Sequence, residues 1–237
     1  MAWREPLFLT NDDGIEAAGL HQLIQILHQR GHPLAILAPA QQQSASGMRL
    51  SLKTDLEFTE RNDLFTTLNL DPDGPPVSIF SLDGTPCDCT IVAIDQGFES
   101  WAPMIRPQLC VSGINFGPNI SIDVIHSGTV SAAREAGLYG LPAIALSLGT
   151  YLHEDFSVGN EAILKLIDRA LLVANQEPTN LMRTRGSKHQ PWGDEEMPMD
   201  ERVREAFRSG DLILNLNTPH EWSGIVETVP LGARWYH

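Results

Sequence analysis

Four short apolar runs, Leu7–Thr10, Leu34–Ala38, Leu109–Gly113 and Ala143–Leu148, recur along the chain with helical patterns between them. After the first run, Leu20, Leu23, Ile24 and Leu27 repeat at helical spacing and Gly31 supplies a stop. Pro39 closes the second run, and Val130–Leu138 is a helix-compatible stretch between the last two. Each run reads as a buried strand. Strand, helix, strand in this rhythm predicts an α/β fold: a three-layer, Rossmann-like, mostly parallel sheet with helices on both faces. Ligands of such sheets collect at the carboxyl ends of the strands.

The first strand runs straight into acid, Thr10-Asn11-Asp12-Asp13-Gly14. Adjacent like charges repel, and the end of a core strand is a costly place to hold them. A bound cation is the usual remedy. Asp12 and Asp13 supply hard oxygen ligands, which suit Mg²⁺, Mn²⁺ or Ca²⁺ better than zinc. Helix capping is the other reading, with Asp13 bonding free N–H groups ahead of the next helix.

The rest of the chain organises around that core. Leu56–Leu82 holds alternating runs, Phe65–Leu68 and Val77–Leu82, broken by Asp71-Pro72-Asp73-Gly74-Pro75-Pro76, and predicts a β-hairpin excursion. Asn160–Ala174 is amphipathic, with Ile163, Leu166, Ile167 and Leu171 on one face. Gln176–Gly210 turns polar and reads as an insertion or arm, with a short helix in Asp200–Arg208, and Leu212–Leu216 returns to strand. One α/β domain formed by residues 1–175 and 211–237 is expected, with 176–210 set apart.

A net charge of −14 argues against nucleic-acid polymers and anionic membranes as partners. Local positive charge for an anionic substrate must then come from a metal, backbone N–H groups or a few placed basic residues. Cys87 and Cys89 are too close to bridge easily and lack zinc-site spacing, while Cys110 lies in an apolar run. Buried, reduced thiols are expected. No leader pattern or membrane-length apolar stretch is visible, so the default expectation is a cytoplasmic protein.

Three further loops carry chemistry. Ser44-Ala45-Ser46-Gly47 can present hydroxyls and backbone N–H groups to an anion, although such loops are commonly plain turns. Asn115-Phe116-Gly117-Pro118-Asn119 follows a buried strand; its asparagines offer carbonyl oxygen to a hard cation or N–H to a phosphate, or serve a tight turn. His126-Ser127-Gly128-Thr129 opens a helix whose free N–H groups form an anion site, with Ser127 or Thr129 as cap. Gly84-Thr85-Pro86-Cys87-Asp88 is a turn into another helix, with Asp88 as its cap.

Thr10–Ile15, Ala38-Pro39 with Ser44–Gly47, Gly84–Asp88, Ser112–Asn115 with Gly117–Asn119, and Ser127–Val130 with Ala132–Glu135 occur in that order. Together they resemble the SurE family of survival-protein nucleotidases. The match covers Leu7 to Leu148, with weaker echoes in Leu214–Pro219 and Leu231–Tyr236. The resemblance implies a divalent-metal-dependent phosphatase of nucleoside 5′-monophosphates, with 3′-monophosphates and short polyphosphate left open. It implies one Mg²⁺ or Mn²⁺ per subunit on Asp12, Asp13, Ser44 and Asn115. It lines the substrate pocket with Asn11, Gly47, Asn119, Ser127, Gly128 and Thr129, and makes Asp12, Asp13, Asn119 and Ser127 the catalytic group. It also implies a homodimer, with a tetramer left open. Asp-Asp-Gly lacks the Asp-x-Asp spacing of aspartyl-phosphate enzymes, which favours attack by water. The contrasting class is a non-catalytic nucleotide-binding or scaffold relative. A dinucleotide module is disfavoured, since no Gly-x-Gly-x-x-Gly follows the first strand.

Overall fold

The computed structural model describes residues 2–174 and 197–232. In chain order these form β1 (Leu7–Thr10), α1 (Ala18–Gln29), β2 (Leu34–Pro39), β3 (Phe58–Glu60), α2 (Asn62–Thr67), β4 (Val77–Leu82), α3 (Pro86–Asp95) and α4 (Phe98–Trp101). Then follow β5 (Leu109–Phe116), α5 (Asp123–His126), α6 (Gly128–Leu138), β6 (Ala143–Leu148), α7 (Asn160–Val173), α8 (Met199–Arg208) and β7 (Leu214–Thr218). Seven strands make one sheet in the order β3-β4-β2-β1-β5-β6-β7. Every pairing is parallel except β3 with β4. The α/β expectation is met.

The alternation of side chains along the strands divides the core into two layers. Leu7, Leu9, Ile36, Val111, Ile144 and Leu146 pack with Leu23 and Leu27 of α1 and Ile163 and Ile167 of α7. Phe8, Leu37, Cys110 and Ala145 face the other way, onto Ala93 of α3, Phe98 and Trp101 of α4, and Val130, Ala133 and Ala136 of α6. Both faces are covered, so β1, β2 and β6 are buried at every position. All three cysteines are buried and unbridged. Burial pushes the Cys87 thiol up to about 12, with the Glu135 and Asp88 charges adding to it.

Two local expectations change. Phe65-Thr66-Thr67-Leu68 reads as an alternating strand, yet it lies in and just after helix α2. Leu64 and Leu68, four residues apart, are the buried pair, so period four wins over period two. The Arg61 guanidinium clips the start of that helix by pairing with Asp63 and Glu16. The excursion therefore keeps an antiparallel pair, β3 with β4, but joins it through a helix. β5 also runs past Gly113 to Phe116, with a register shift against β6 between Ser112 and Asn115.

The helix read in Asp200–Arg208 is α8, which begins at Met199 and buries Ala206 and Phe207. Much of the polar 176–210 stretch lies outside the described residues. The strand read at Leu212–Leu216 is β7, shifted two residues later.

Chain direction reverses at the centre of the sheet. From β1 the strands proceed outward through β2 to β4; the chain then returns to β5 and proceeds the other way through β6 to β7. The switch point is the crevice between the carboxyl ends of β1 and β5.

Candidate active site

Asp12 and Asp13 follow β1 at that switch point. Asp12 is 3% exposed and its Oδ1 accepts a hydrogen bond from the Thr129 hydroxyl at 2.5 Å. Asp13 Oδ2 accepts from the Phe116 backbone N–H at 3.1 Å, tying the end of β1 to the end of β5. The capping reading of Asp13 fails. Helix α1 starts only at Ala18, its N-cap is Ala17, and no side chain caps it. The intervening turn carries Asp13 away from the free N–H groups and toward β5.

Asn11 is fully buried, and its side chain both donates to Gly14 O at 2.8 Å and accepts from Gly14 N at 3.2 Å. These bonds close the turn that presents the two carboxylates. Gln43 N–H donates to Asp12 O at 2.7 Å, and Gly47 N–H donates to His126 O at 2.9 Å. The serine loop is thereby pinned to the carboxylate turn at one end and to the approach of α6 at the other. Ser44, between those pins, is exposed.

Ser127 caps α6, its Oγ accepting from Val130 N–H at 3.1 Å. Thr129, in the first turn of α6, gives Asp12 a backbone as well as a hydroxyl hydrogen bond, at the helix end where the dipole favours negative charge. Gly128 is pressed against this spot: a Cβ there would lie 2.6 Å from Asp12 Cβ and 2.7 Å from Ser46 Oγ. His126 is exposed at the end of α5.

Asn115 turns its Nδ2 toward Gly117 O at 2.8 Å. Asn119 is buried and held on four sides. Its N–H donates to Asn217 Oδ1 at 2.7 Å and its Nδ2 to Ser147 Oγ at 2.9 Å. Its carbonyl accepts from Asn215 Nδ2 at 2.8 Å and Asn217 Nδ2 at 3.1 Å.

Asp12, Asp13, Gly47, Ser127, Gly128 and Thr129 are thus joined by direct bonds or close approach, Asn11 supports them from beneath, and Asn115 lies on the strand end that holds Asp13. Sequence reasoning missed three contributors, Ser46, Asn215 and Asn217, and the partner of a fourth, Thr129. Ser46 lies against Gly128, Thr129 clasps Asp12, and Asn215 and Asn217 lock Asn119. The Leu214-Asn-Leu-Asn217 alternation was the available signal, since period two puts both asparagines on one face of a strand.

The electrostatics fit a cation. Burial is the main reason the Asp12 carboxyl is pushed up to about 6, and the Asp13 charge adds to it against the Thr129 hydrogen bonds. Asp13 is likewise raised, by burial first, with Glu154 adding negative charge and the Phe116 N–H opposing it. A buried and a half-buried carboxylate held side by side against their own repulsion gain most from a positive ion. Among the described residues no group of three or more His, Cys, Asp or Glu is placed to hold a metal ion by itself. Neutral oxygens from Ser44 and Asn115 would complete the ligand set, which suits a hard, oxygen-seeking divalent ion. A cavity lined by Arg4, Glu5, Gln108, Asp168 and Arg208 opens at the amino ends of the strands, away from these groups.

The fold and the site define a doubly wound α/β protein with an acidic, oxygen-lined crevice set against a helix start. Residues 7–236 match the family model "Survival protein SurE", and the chain belongs to the SurE family. It is 36% identical over 165 residues to the 5′-nucleotidase SurE of Prochlorococcus marinus (strain MIT 9211), covering 70% of this chain and 56% of that protein. It is 35% identical over 176 residues to that of Parasynechococcus marenigrum (strain WH8102), covering 74% and 60%. The chain thus spans 56–60% of the length of these curated relatives. The crystal structure of SurE from Aquifex aeolicus superimposes with a TM-score of 0.62 at 23% identity, over 91% of this chain and 66% of that one. That likeness is one of fold.

Proposed function

We propose that this protein is a divalent-cation-dependent phosphomonoesterase that converts nucleoside 5′-monophosphates to nucleoside and phosphate. The observation that carries the reading is the Asp12–Asp13 pair at the β1/β5 switch point, Asp12 buried against the first turn of α6 and Asp13 half-buried on the end of β5. The 5′-nucleotidase name borne by relatives of up to 36% identity supports the same substrate class.

In this reading Asp12, Asp13, Ser44 and Asn115 hold one Mg²⁺ or Mn²⁺. When bound, the ion withdraws charge from a phosphoryl oxygen and lowers the pKa of a coordinated water. Thr129 fixes the Asp12 carboxylate through its hydroxyl. Phe116 N–H fixes Asp13. Ser127 shapes the helix start, and its neighbours Gly128 and Thr129 leave room and donors for phosphate oxygens. Asn119, locked by β7 and Ser147, offers its amide to the same oxygens or to the leaving group. Positioning of this kind supplies most of the acceleration available to phosphoryl transfer.

The reading extends to 3′-monophosphates and short polyphosphate as further substrates. It includes a cytoplasmic homodimer with one α/β unit (1–175 with 211–237) and a polar insertion at 176–210. Among the described residues no helix is long and apolar enough to cross a membrane.

The test is phosphate release from a panel of nucleoside 5′- and 3′-monophosphates, titrated with Mn²⁺ or Mg²⁺ and repeated in EDTA. The expected result is release that requires the ion and favours 5′-monophosphates. Release that persists in EDTA, or no release with any ion, overturns the reading.

A further inference from the structure

An aromatic ring flanks the carboxylate turn, and the hydrolysis just described makes no use of it. Asp13 is bonded to Phe116 N–H, and the next residue, Gly117, lies directly beneath Tyr151. A Cβ on Gly117 would fall 1.9 Å from Tyr151 Cε1 and 2.3 Å from Cζ, so the ring in this position needs the bare backbone of glycine beneath it. Gly117 also has φ of 106°, a backbone that side chains resist. The Tyr151 ring meets Phe116 edge-to-face, with centroids 5.9 Å apart at 84°, and Phe116 is backed in turn by Phe156 at 6.2 Å.

The ring is therefore seated on backbone and on a second aromatic. Yet Tyr151 remains 66% exposed. A large π surface is thus held in place one residue from the Phe116 N–H that binds Asp13, and is left open. Few backbone bonds separate Asp13 from the ring, a reach on the order of 10 Å. That is comparable to the span from the phosphate to the base of a mononucleotide.

We propose that Tyr151 is the stacking platform for the nucleobase of a nucleoside monophosphate whose phosphate lies at the Asp12–Asp13 turn. The proposal rests on the nucleotidase reading and names how that same site takes hold of the base. Stacking on an aromatic face accepts any base, because every base presents a π surface. It also costs little entropy, since tyrosine has two side-chain torsions and Gly117 and Phe116 already restrict them. The site then divides its substrate: ion and helix start take the phosphate, and the ring takes the base.

The test compares wild type with Tyr151→Leu, which keeps an apolar cover over Gly117 but has no π face, and Tyr151→Phe, which keeps the face. Three compounds are used: adenosine 5′-monophosphate, ribose 5-phosphate, which lacks the base, and adenosine, which lacks the phosphate. Tyr151→Leu should lower the preference for adenosine 5′-monophosphate over ribose 5-phosphate about 10-fold, chiefly through KM, and weaken adenosine binding by a similar factor. Tyr151→Phe should restore both. Equal losses on the two phosphates, or adenosine binding that ignores the substitution, would overturn the platform. Adenosine binding that depends on Tyr151 in a protein without turnover would uphold the platform and sink the hydrolytic reading instead.

Discussion

Gly128 is pressed against Asp12, and substituting it by alanine tests whether the position of Asp12 matters. The added methyl would lie 2.6 Å from Asp12 Cβ, 2.7 Å from Ser46 Oγ and 2.8 Å from Asp12 Oδ2. Ordinary contact begins at 3.4 Å, so relief of the first clash alone requires about 0.8 Å of movement (3.4 less 2.6). Asp12 cannot yield freely, because Thr129 holds its carboxylate and Gln43 holds its backbone carbonyl. A displacement of this size in a positioned group costs roughly 10²-fold in rate, or about 2.7 kcal/mol of barrier. Overpacking itself should cost about 1–3 kcal/mol of stability.

The control is Gly137→Ala at the far end of α6, where the added methyl would meet Gly210 O at 2.5 Å. Both variants should unfold at lower denaturant. Only Gly128→Ala should lose Mn²⁺ affinity and nucleotidase kcat. The assay pairs urea unfolding with phosphate release at saturating ion. Wild-type kcat and Mn²⁺ affinity in a folded Gly128→Ala protein would refute the reasoning.

Two other outcomes follow from the same geometry. Asn217→Ala strips Asn119 of its N–H acceptor and one of its carbonyl donors. Its kcat should fall while Mn²⁺ affinity holds, with a stability loss of about 1–3 kcal/mol from the unmet buried groups; unaltered kcat would remove Asn119 from the machinery. His32 is buried with Nδ1 against Glu5 O at 2.8 Å, and burial lowers its pKa below the ordinary 6.5. The unfolded chain then binds the proton more readily, so His32 costs stability as pH falls below 6.5 and nothing above it. Urea midpoints at pH 5.5 and 7.5 should differ less in His32→Asn than in wild type; equal differences would contradict this.

What the sequence revealed and what it hid divide along physical lines. The strands Leu7–Thr10, Leu34–Pro39 and Ala143–Leu148 were legible because strands buried on both faces must be continuously apolar. A helix cap at Ser127 or Thr129 was legible because capping is local chemistry, and Ser127 is the residue that caps. The bond from Thr129 to Asp12 spans 117 residues, and that from Asn119 to Asn217 spans 98. No window along the chain reports such contacts, so the bond of Thr129 to Asp12 stayed hidden, and Asn215 and Asn217 read only as part of the Leu214–Pro219 echo, with no link to Asn119. Phe65–Leu68 misled because a short stretch carries both periods, and only the burial of Leu64 with Leu68 decides between them. Asp13 misled as a cap because the length of the turn after it cannot be read from residue type.

The account turns on Asp12 and Asp13 holding one divalent cation, and direct Mn²⁺ binding measures that without relying on turnover. Electron paramagnetic resonance titration of free Mn²⁺ should give one tight site per chain in wild type. Asp12→Asn should lose that site while its unfolding midpoint stays equal or rises, since a buried charge that resists ionisation is removed. Undiminished Mn²⁺ binding by Asp12→Asn, or no Mn²⁺ site in wild type, would contradict the account.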